Sequence, residues 1–187
     1  MKIKTTSTWD QELWEDAGPI YAEAFGEKGA KPVKIIQNML TKGIAELYIG
    51  YNESKAIAMA LVGKLNQEQI MIIDYLAVSE KERNQGIGRQ FVEYLKQKAG
   101  ADGIKTFIIE AESAETADNR KRIEFWQSCG FLTTDYIHTY IWVPEKYKAL
   151  YIPLAGMQQI ITGEELFTYI NKFHRLSFLE KKNDGAD

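Results

Sequence analysis

Residues 70–99 constrain the fold more than any other part of this chain. An apolar run, Ile70–Val78, feeds a short charged loop ending Arg83-Asn84-Gln85-Gly86-Ile87-Gly88, and an amphipathic stretch follows. Ile87, Phe91, Leu95 and Ala99 recur at intervals of four, one face of a helix, and Gly100 closes it. Residues 105–112 then form a second strand-like run. Strand–helix–strand connectivity favours a parallel pair with a right-handed crossover. Closely spaced glycines at the helix start leave backbone N–H groups free beside the positive end of the helix dipole. That combination cradles an anion, and a phosphate-bearing ligand is the first expectation.

The remaining elements read around this unit. Residues 2–6 suit a short strand, and Leu13, Ala17, Ile20, Tyr21, Ala24 and Phe25 keep helical spacing behind a capping Asp10. Residues 33–42 predict a second helix ending at Gly43. Residues 46–51 and 56–65 predict a hairpin about Asn52-Glu53-Ser54-Lys55. Residues 119–128 predict a short helix ended by Gly130, then residues 131–143 and 147–154 a second, aromatic-rich hairpin about Pro144-Glu145. Thr162-Gly163-Glu164-Glu165 is a capping box opening a last helix over about 163–181, with a frayed tail at 182–187. The sum is one α+β domain over 1–187, a mixed, mostly antiparallel central sheet with helices on both faces.

Composition narrows the partners. The chain has 187 residues and a net charge of -3 from 23 basic and 26 acidic side chains, which gives no basic footprint for nucleic acid. Cys129 is the single cysteine, so no intramolecular disulfide and no paired-cysteine metal site is expected. No apolar run approaches the roughly 20 residues a membrane helix needs, and residues 1–6 lack a signal peptide's apolar region. The expectation is a cytoplasmic protein without membrane, nucleic-acid or metal partner.

The glycine loop separates three phosphate-binding classes. A Walker loop needs Lys followed by Ser or Thr after its glycines, and neither is here. A dinucleotide fingerprint matches at Gly86 and Gly88 and places Glu110 near the ribose, but its third glycine is Phe91 and the turn from Val78 is too long. Arg83 to Gly88 does match R-x-x-G-x-G, and with Leu76-Ala77-Val78 it resembles the acyl-coenzyme A loop of the GNAT superfamily of N-acetyltransferases. A second motif follows with a helix and a strand between: Asn119, a short helix, the pair Phe125-Trp126, then Gly130-Phe131, similar to the other GNAT signature.

That resemblance implies an acetyl group moved from acetyl-coenzyme A to an amine of a small molecule or peptide by direct attack. It assigns the coenzyme to Leu76, Ala77, Val78, Arg83, Asn84, Gln85, Gly86, Ile87, Gly88, Arg89, Asn119, Phe125 and Trp126, with the pyrophosphate on the loop amides, Val78 offering its backbone to the pantetheine and Asn119 bonding that arm. An amine must lose a proton before it attacks, and the departing thiolate must gain one. Strict alternation puts Ile72, Asp74, Leu76 and Val78 on one strand face. Asp74 falls where one branch of the family carries a catalytic histidine and Ile72 where another carries glutamate; Asp74 reads as base, amine anchor or structural carboxylate. Glu110 and Glu112 share a face of the next strand, so the three carboxylates can converge on an amine or polyamine.

The usual proton-donating tyrosine is replaced by Trp126, whose indole cannot act as an acid at neutral pH. Tyr136, Tyr140 or water are the substitutes, and Asp74, Glu110 and Tyr140 are the catalytic candidates. The alternative reading is an acyl-coenzyme A sensor that has lost catalysis. The C-terminal helix is open to simple packing, to covering the substrate groove or to a homodimer contact.

Overall fold

In the computed structural model, which describes residues 1–26, 29–141, 143–154 and 161–179, the alternating apolar runs assemble into one sheet. Its strands are β1 (Lys2–Thr6), β2 (Ala45–Asn52), β3 (Lys55–Leu65), β4 (Ile70–Val78), β5 (Thr106–Glu112), β6 (Leu132–Thr133), β7 (His138–Thr139) and β8 (Lys146–Pro153). The helices are α1 (Gln11–Phe25), α2 (Val33–Thr41), α3 (Ile87–Ala101), α4 (Ala117–Ser128) and α5 (Gly163–Phe178). Across the sheet the order is β1-β2-β3-β4-β5-β8-β6, with β7 also on β8. β4 and β5, joined through α3, pair parallel, and the other pairs are antiparallel.

Local chemistry starts the helices where the sequence places them. Asp10 accepts from Leu13 N at 3.0 Å and Thr162 from Glu165 N at 3.2 Å. α4 begins two residues earlier than its apolar pattern indicates, because Thr116 caps it by accepting from Asn119 N at 3.1 Å. The helices divide into two layers. α1, α2 and α5 bury Ile20, Leu40, Phe167 and Phe173 against Ile49, Met59, Ile72 and Ile108. On the other face α3 and α4 bury Phe91, Leu95 and Trp126 against Tyr48, Val62, Ile73 and Phe107. Each large side chain taken out of water stabilises the fold by roughly 2 kcal/mol. α5 comes unusually close: a Cβ on Gly63 of β3 would stand 2.2 Å from the Phe173 ring, so glycine there lets the helix settle on the sheet.

Two expectations fail. First, β4 does not alternate strictly. Leu61 pairs with Tyr75 and Val62 with Ile73, which leaves Asp74 as the extra residue of a β-bulge. Ile70 and Ile72 therefore face the α1–α2–α5 layer, while Leu76 and Val78 face the α3–α4 layer. One inserted residue flips every side chain beyond it, and a strand apolar on both faces hides the insertion.

Second, residues 131–143 do not form one long strand. Of the described residues in this stretch only Leu132–Thr133 and His138–Thr139 pair with β8. Thr134 Oγ1 donates to Ala149 O at 3.1 Å in place of a backbone bond, and Tyr136 turns inward onto Phe167, ring centroids 5.8 Å apart. Trp142, the end of the expected last helix at 180–181 and the expected tail at 182–187 lie outside the described residues. No helix among the described residues is long and apolar enough to cross a membrane.

Candidate active site

The parallel pair is short. β4 and β5 are joined only from Ile70↔Thr106 to Ile73↔Ile109. Past that point β4 stays on β3 as far as Val78↔Ala58 and β5 stays on β8 as far as Glu112↔Tyr147. The facing edges part and form a wedge that opens toward the strands' C-terminal ends, where open sheets with parallel strands take their ligands. Asp74 and Glu110 are the first residues past the last pair, one on each side of the apex.

At the mouth of the wedge lies the glycine loop. Asn84 and Gly86 have positive φ, +63° and +77°, and Gly86 is the N-cap of α3 in the left-handed region. Arg83 N bonds Glu80 O and Gln90 N bonds Gly86 O, but between them no backbone N–H from Asn84 to Arg89 has an acceptor among the described residues. Six consecutive free donors at a helix N-terminus fit a pyrophosphate. A Cβ on Gly86 would meet nothing within 4 Å, so that glycine serves the backbone conformation and keeps the surface open. A Cβ on Gly88 would lie 3.3 Å from the Phe125 ring, so Gly88 lets α4 close against the loop. Arg83 braces the loop from below: Nε donates to Val78 O at 3.0 Å and a second nitrogen sits 3.4 Å from Glu23 of α1, which also accepts from Glu80 N at 2.6 Å. The Val78 carbonyl is thus already engaged by Arg83.

Five separate segments supply the charged and proton-bearing side chains of the apex. Lys31, in the loop before α2, places its ammonium 2.6 and 2.8 Å from the two oxygens of Asp74. The side chains are 8% and 4% exposed, so this is a buried ion pair. Two tyrosines fix the lysine's backbone: Tyr75 Oη accepts from Lys31 N at 3.0 Å and donates to Gly29 O at 2.7 Å, and Tyr21 Oη donates to Lys31 O at 3.1 Å. Across the apex, Tyr140 donates to Glu110 Oε1 at 2.7 Å, and His174 of α5 sets Nε2 3.1 Å from Glu110 Oε2.

Burial, and after it the charge of Glu110, pushes the Tyr140 hydroxyl far above its ordinary pKa; Asp74 adds to the same effect. Burial, followed by Glu110 and Glu112, pushes the nearby Tyr147 up to about 12. Both phenols hold their protons at neutral pH, and Tyr140 acts as a hydrogen-bond donor. The carboxylates of Asp74 and Glu110 converge around Tyr140, and Glu112 acts on Tyr147.

The other expected coenzyme residues fall in varied places. Leu76 and Val78 face the α3–α4 layer beside Ile87 and Phe125, while Ala77 is buried in the opposite layer. Asn119 is buried at 5% exposure, its Oδ1 3.3 Å from Arg122. Trp126 is core, edge-on to Phe125 and Phe131 at 5.0 and 5.3 Å, and Cys129 is buried beside it in the same cluster. Burial raises the Cys129 thiol pKa, which suits a packed residue and not a nucleophile. Arg89 turns away from the loop and donates to Ser128 O at 2.8 Å, bonding a carbonyl at the end of α4.

Sequence reasoning overlooked Lys31 and His174. The signal for His174 was Gly63, since an isolated glycine inside a strand marks a close approach, here by the turn of α5 that carries Phe173 and His174.

The sequence matches the family model for the acetyltransferase (GNAT) family over residues 8–131. No protein of curated function matches it. Solved structures share the fold. A protein from Bacteroides thetaiotaomicron described as a GNAT-family acetyltransferase is 16% identical, with a TM-score of 0.70 over 94% of this chain and 96% of its own. The ribosomal-protein-S18-alanine N-acetyltransferase of Escherichia coli is 17% identical, TM-score 0.65, over 86% and 100%. A Bacillus subtilis acetyltransferase in complex with coenzyme A is 19% identical, TM-score 0.59, over 82% and 98%. At these identities the likeness is one of fold, and the matched sequence motifs carry the rest. The chain belongs to the GNAT family and is an acetyltransferase.

Proposed function

We propose that the chain transfers the acetyl group of acetyl-coenzyme A to a primary amine of a small molecule or peptide by direct attack in the wedge between β4 and β5. The observation that carries this reading is the run of six backbone N–H groups, Asn84 to Arg89, without acceptors among the described residues, at the mouth of a wedge whose apex holds two carboxylates. Those amides would hold the pyrophosphate, and Leu76, Val78 and Phe125 would line the path of the pantetheine. The thioester supplies an activated acyl group, and no acyl-enzyme is needed.

Glu110 receives the amine's proton, directly or through one water. Tyr140 and His174 each bond one of its oxygens and so fix where it points. Tyr140, its hydroxyl pKa raised by burial and by Glu110, acts here as a donor that orients Glu110, and the leaving sulphur is protonated from water. Asp74 acts through its pair with Lys31, and Glu110 takes the part of base.

Thiol release from acetyl-coenzyme A, measured across mono- and polyamines and peptides with free N-termini, tests this. Release that depends on the amine and disappears in Gly86→Glu supports it. One observation favours a second reading, an acyl-coenzyme A sensor: Trp126, at the position where the resemblance to the family implies a proton-donating tyrosine, is buried in the core. Tight coenzyme binding with no amine-dependent release would decide for the sensor.

A further inference from the structure

Lys31 is itself a primary amine, and the chain delivers it to the apex. Among the described residues it is the one buried lysine. Its ammonium touches both oxygens of Asp74, and the Tyr75 and Phe173 rings stand 5.1 and 5.9 Å from Nζ. Tyr21 and Tyr75 clamp its backbone, so its place is built and not a chance rotamer. An acceptor amine arriving from solvent would meet the same situation: an ammonium against a carboxylate, one residue past the point where β4 and β5 part.

We infer that Lys31 is an intramolecular acyl acceptor, modified on Nζ when acetyl-coenzyme A is bound and no free amine is present. This inference rests on the acyl-transfer reading above. In the step, one ammonium proton passes to Asp74, 2.6 Å away. The freed lone pair forms a bond to the thioester carbonyl carbon, the carbon–sulphur bond breaks, and a second Nζ proton reaches the sulphur through water. The products are acetyl-lysine, protonated Asp74 and free thiol, so atoms and charge balance. Modification removes the cation from Asp74, which, once it has passed its proton to water, faces the apex as a carboxylate without that partner and can receive the ammonium of the next amine. The self-modified chain is thereby opened to external acceptors.

Incubation with isotopically labelled acetyl-coenzyme A in the absence of any amine, followed by intact mass and peptide mapping, tests the inference. Wild type, Lys31→Arg and Gly86→Glu are compared, with coenzyme binding to each followed by calorimetry. The expected result is one acetyl group per chain on Lys31, at least about tenfold above any exposed lysine because the amine is held beside the thioester. The label is absent from Lys31→Arg, which retains a cation beside Asp74, and from Gly86→Glu. Bound coenzyme with Lys31 unmodified, or label spread over surface lysines equally in Gly86→Glu, overturns the inference and leaves the proposed function standing. Absence of both label and coenzyme binding in the wild type overturns the two together.

Discussion

The two ends of the wedge are built by opposite means. The mouth is a continuous run of seven residues, Arg83 to Arg89, and its working groups are backbone amides; the side chain that counts most is the one glycine lacks. The apex is made wholly of side chains from distant segments. Lys31 and Asp74 are 43 residues apart, Tyr140 and Glu110 are 30 apart, and His174 and Glu110 are 64 apart. Binding a phosphate needs oriented N–H groups that a helix start supplies at once, while moving a proton needs side chains that only the tertiary fold brings together. One end can thus be fixed by local chemistry and the other left to vary with the acceptor.

The comparison breaks first at the mouth. Gly86→Glu puts a bulky anion into the cradle, at a φ of +77° that costs a non-glycine residue about 1 kcal/mol. Because the Cβ meets nothing within 4 Å, the fold survives while coenzyme affinity falls about a thousandfold, through lost charge-assisted bonds and repulsion. Titration calorimetry on the folded variant measures this; unchanged affinity would remove the pyrophosphate from the loop.

At the apex the reverse pattern holds. Glu110→Gln should lower turnover about a hundredfold, the usual size of a general-base contribution, with coenzyme affinity unchanged. His174→Gln, which removes one of two groups holding Glu110, should lower it about tenfold. Steady-state rates set beside calorimetry separate the two ends, and a matched loss of affinity in Glu110→Gln would blur the division.

Asp74 sharpens the contrast, because its first duty is structural. Asp74→Ala leaves the Lys31 ammonium buried and unpaired, which should cost about 3 kcal/mol in urea unfolding. A loss within experimental error would show that Lys31 relaxes to solvent and that the pair does not tie the α1–α2 loop to β4.

The smallest effect at neutral pH is the alkaline limit of stability. Tyr75 and Tyr140 have pKa values raised first by burial, and Tyr147 is raised to about 12. Above pH about 10 the unfolded chain's tyrosines lose protons that the native ones keep, so the native state binds more protons and stability falls as pH rises. Unfolding midpoints should be flat from pH 8 to 9 and drop steadily beyond 10; tyrosines that ionise at the ordinary pH with no loss of stability would contradict the buried, carboxylate-bound geometry.

What the sequence discloses follows the same division. Periodicity in α3, the caps at Asp10 and Thr162 and the parallel β4–β5 pair are all consequences of neighbouring residues, and they are legible. The bulge at Asp74 is not, since a strand apolar on both faces carries the same letters in either register. The interruption of residues 131–143 escapes for a related reason: Tyr136 and Tyr140 owe their place in the alternation to inward contacts with Phe167 and Glu110, and only His138–Thr139 between them joins a ladder. Lys31 looks like any loop lysine until the fold sets Asp74 against it. His174 left only an indirect trace, in Gly63.

The central claim is that one wedge holds the coenzyme by its backbone mouth and does chemistry at its side-chain apex. A crystal structure with bound coenzyme A tests it most directly. The account predicts pyrophosphate oxygens within hydrogen-bond distance of the amides of residues 84–89 and the thiol between β4 and β5 beside Glu110. Coenzyme lodged instead in the 630 Å³ cleft lined by Arg89, Lys96 and Cys129, with the loop amides bare, would contradict it.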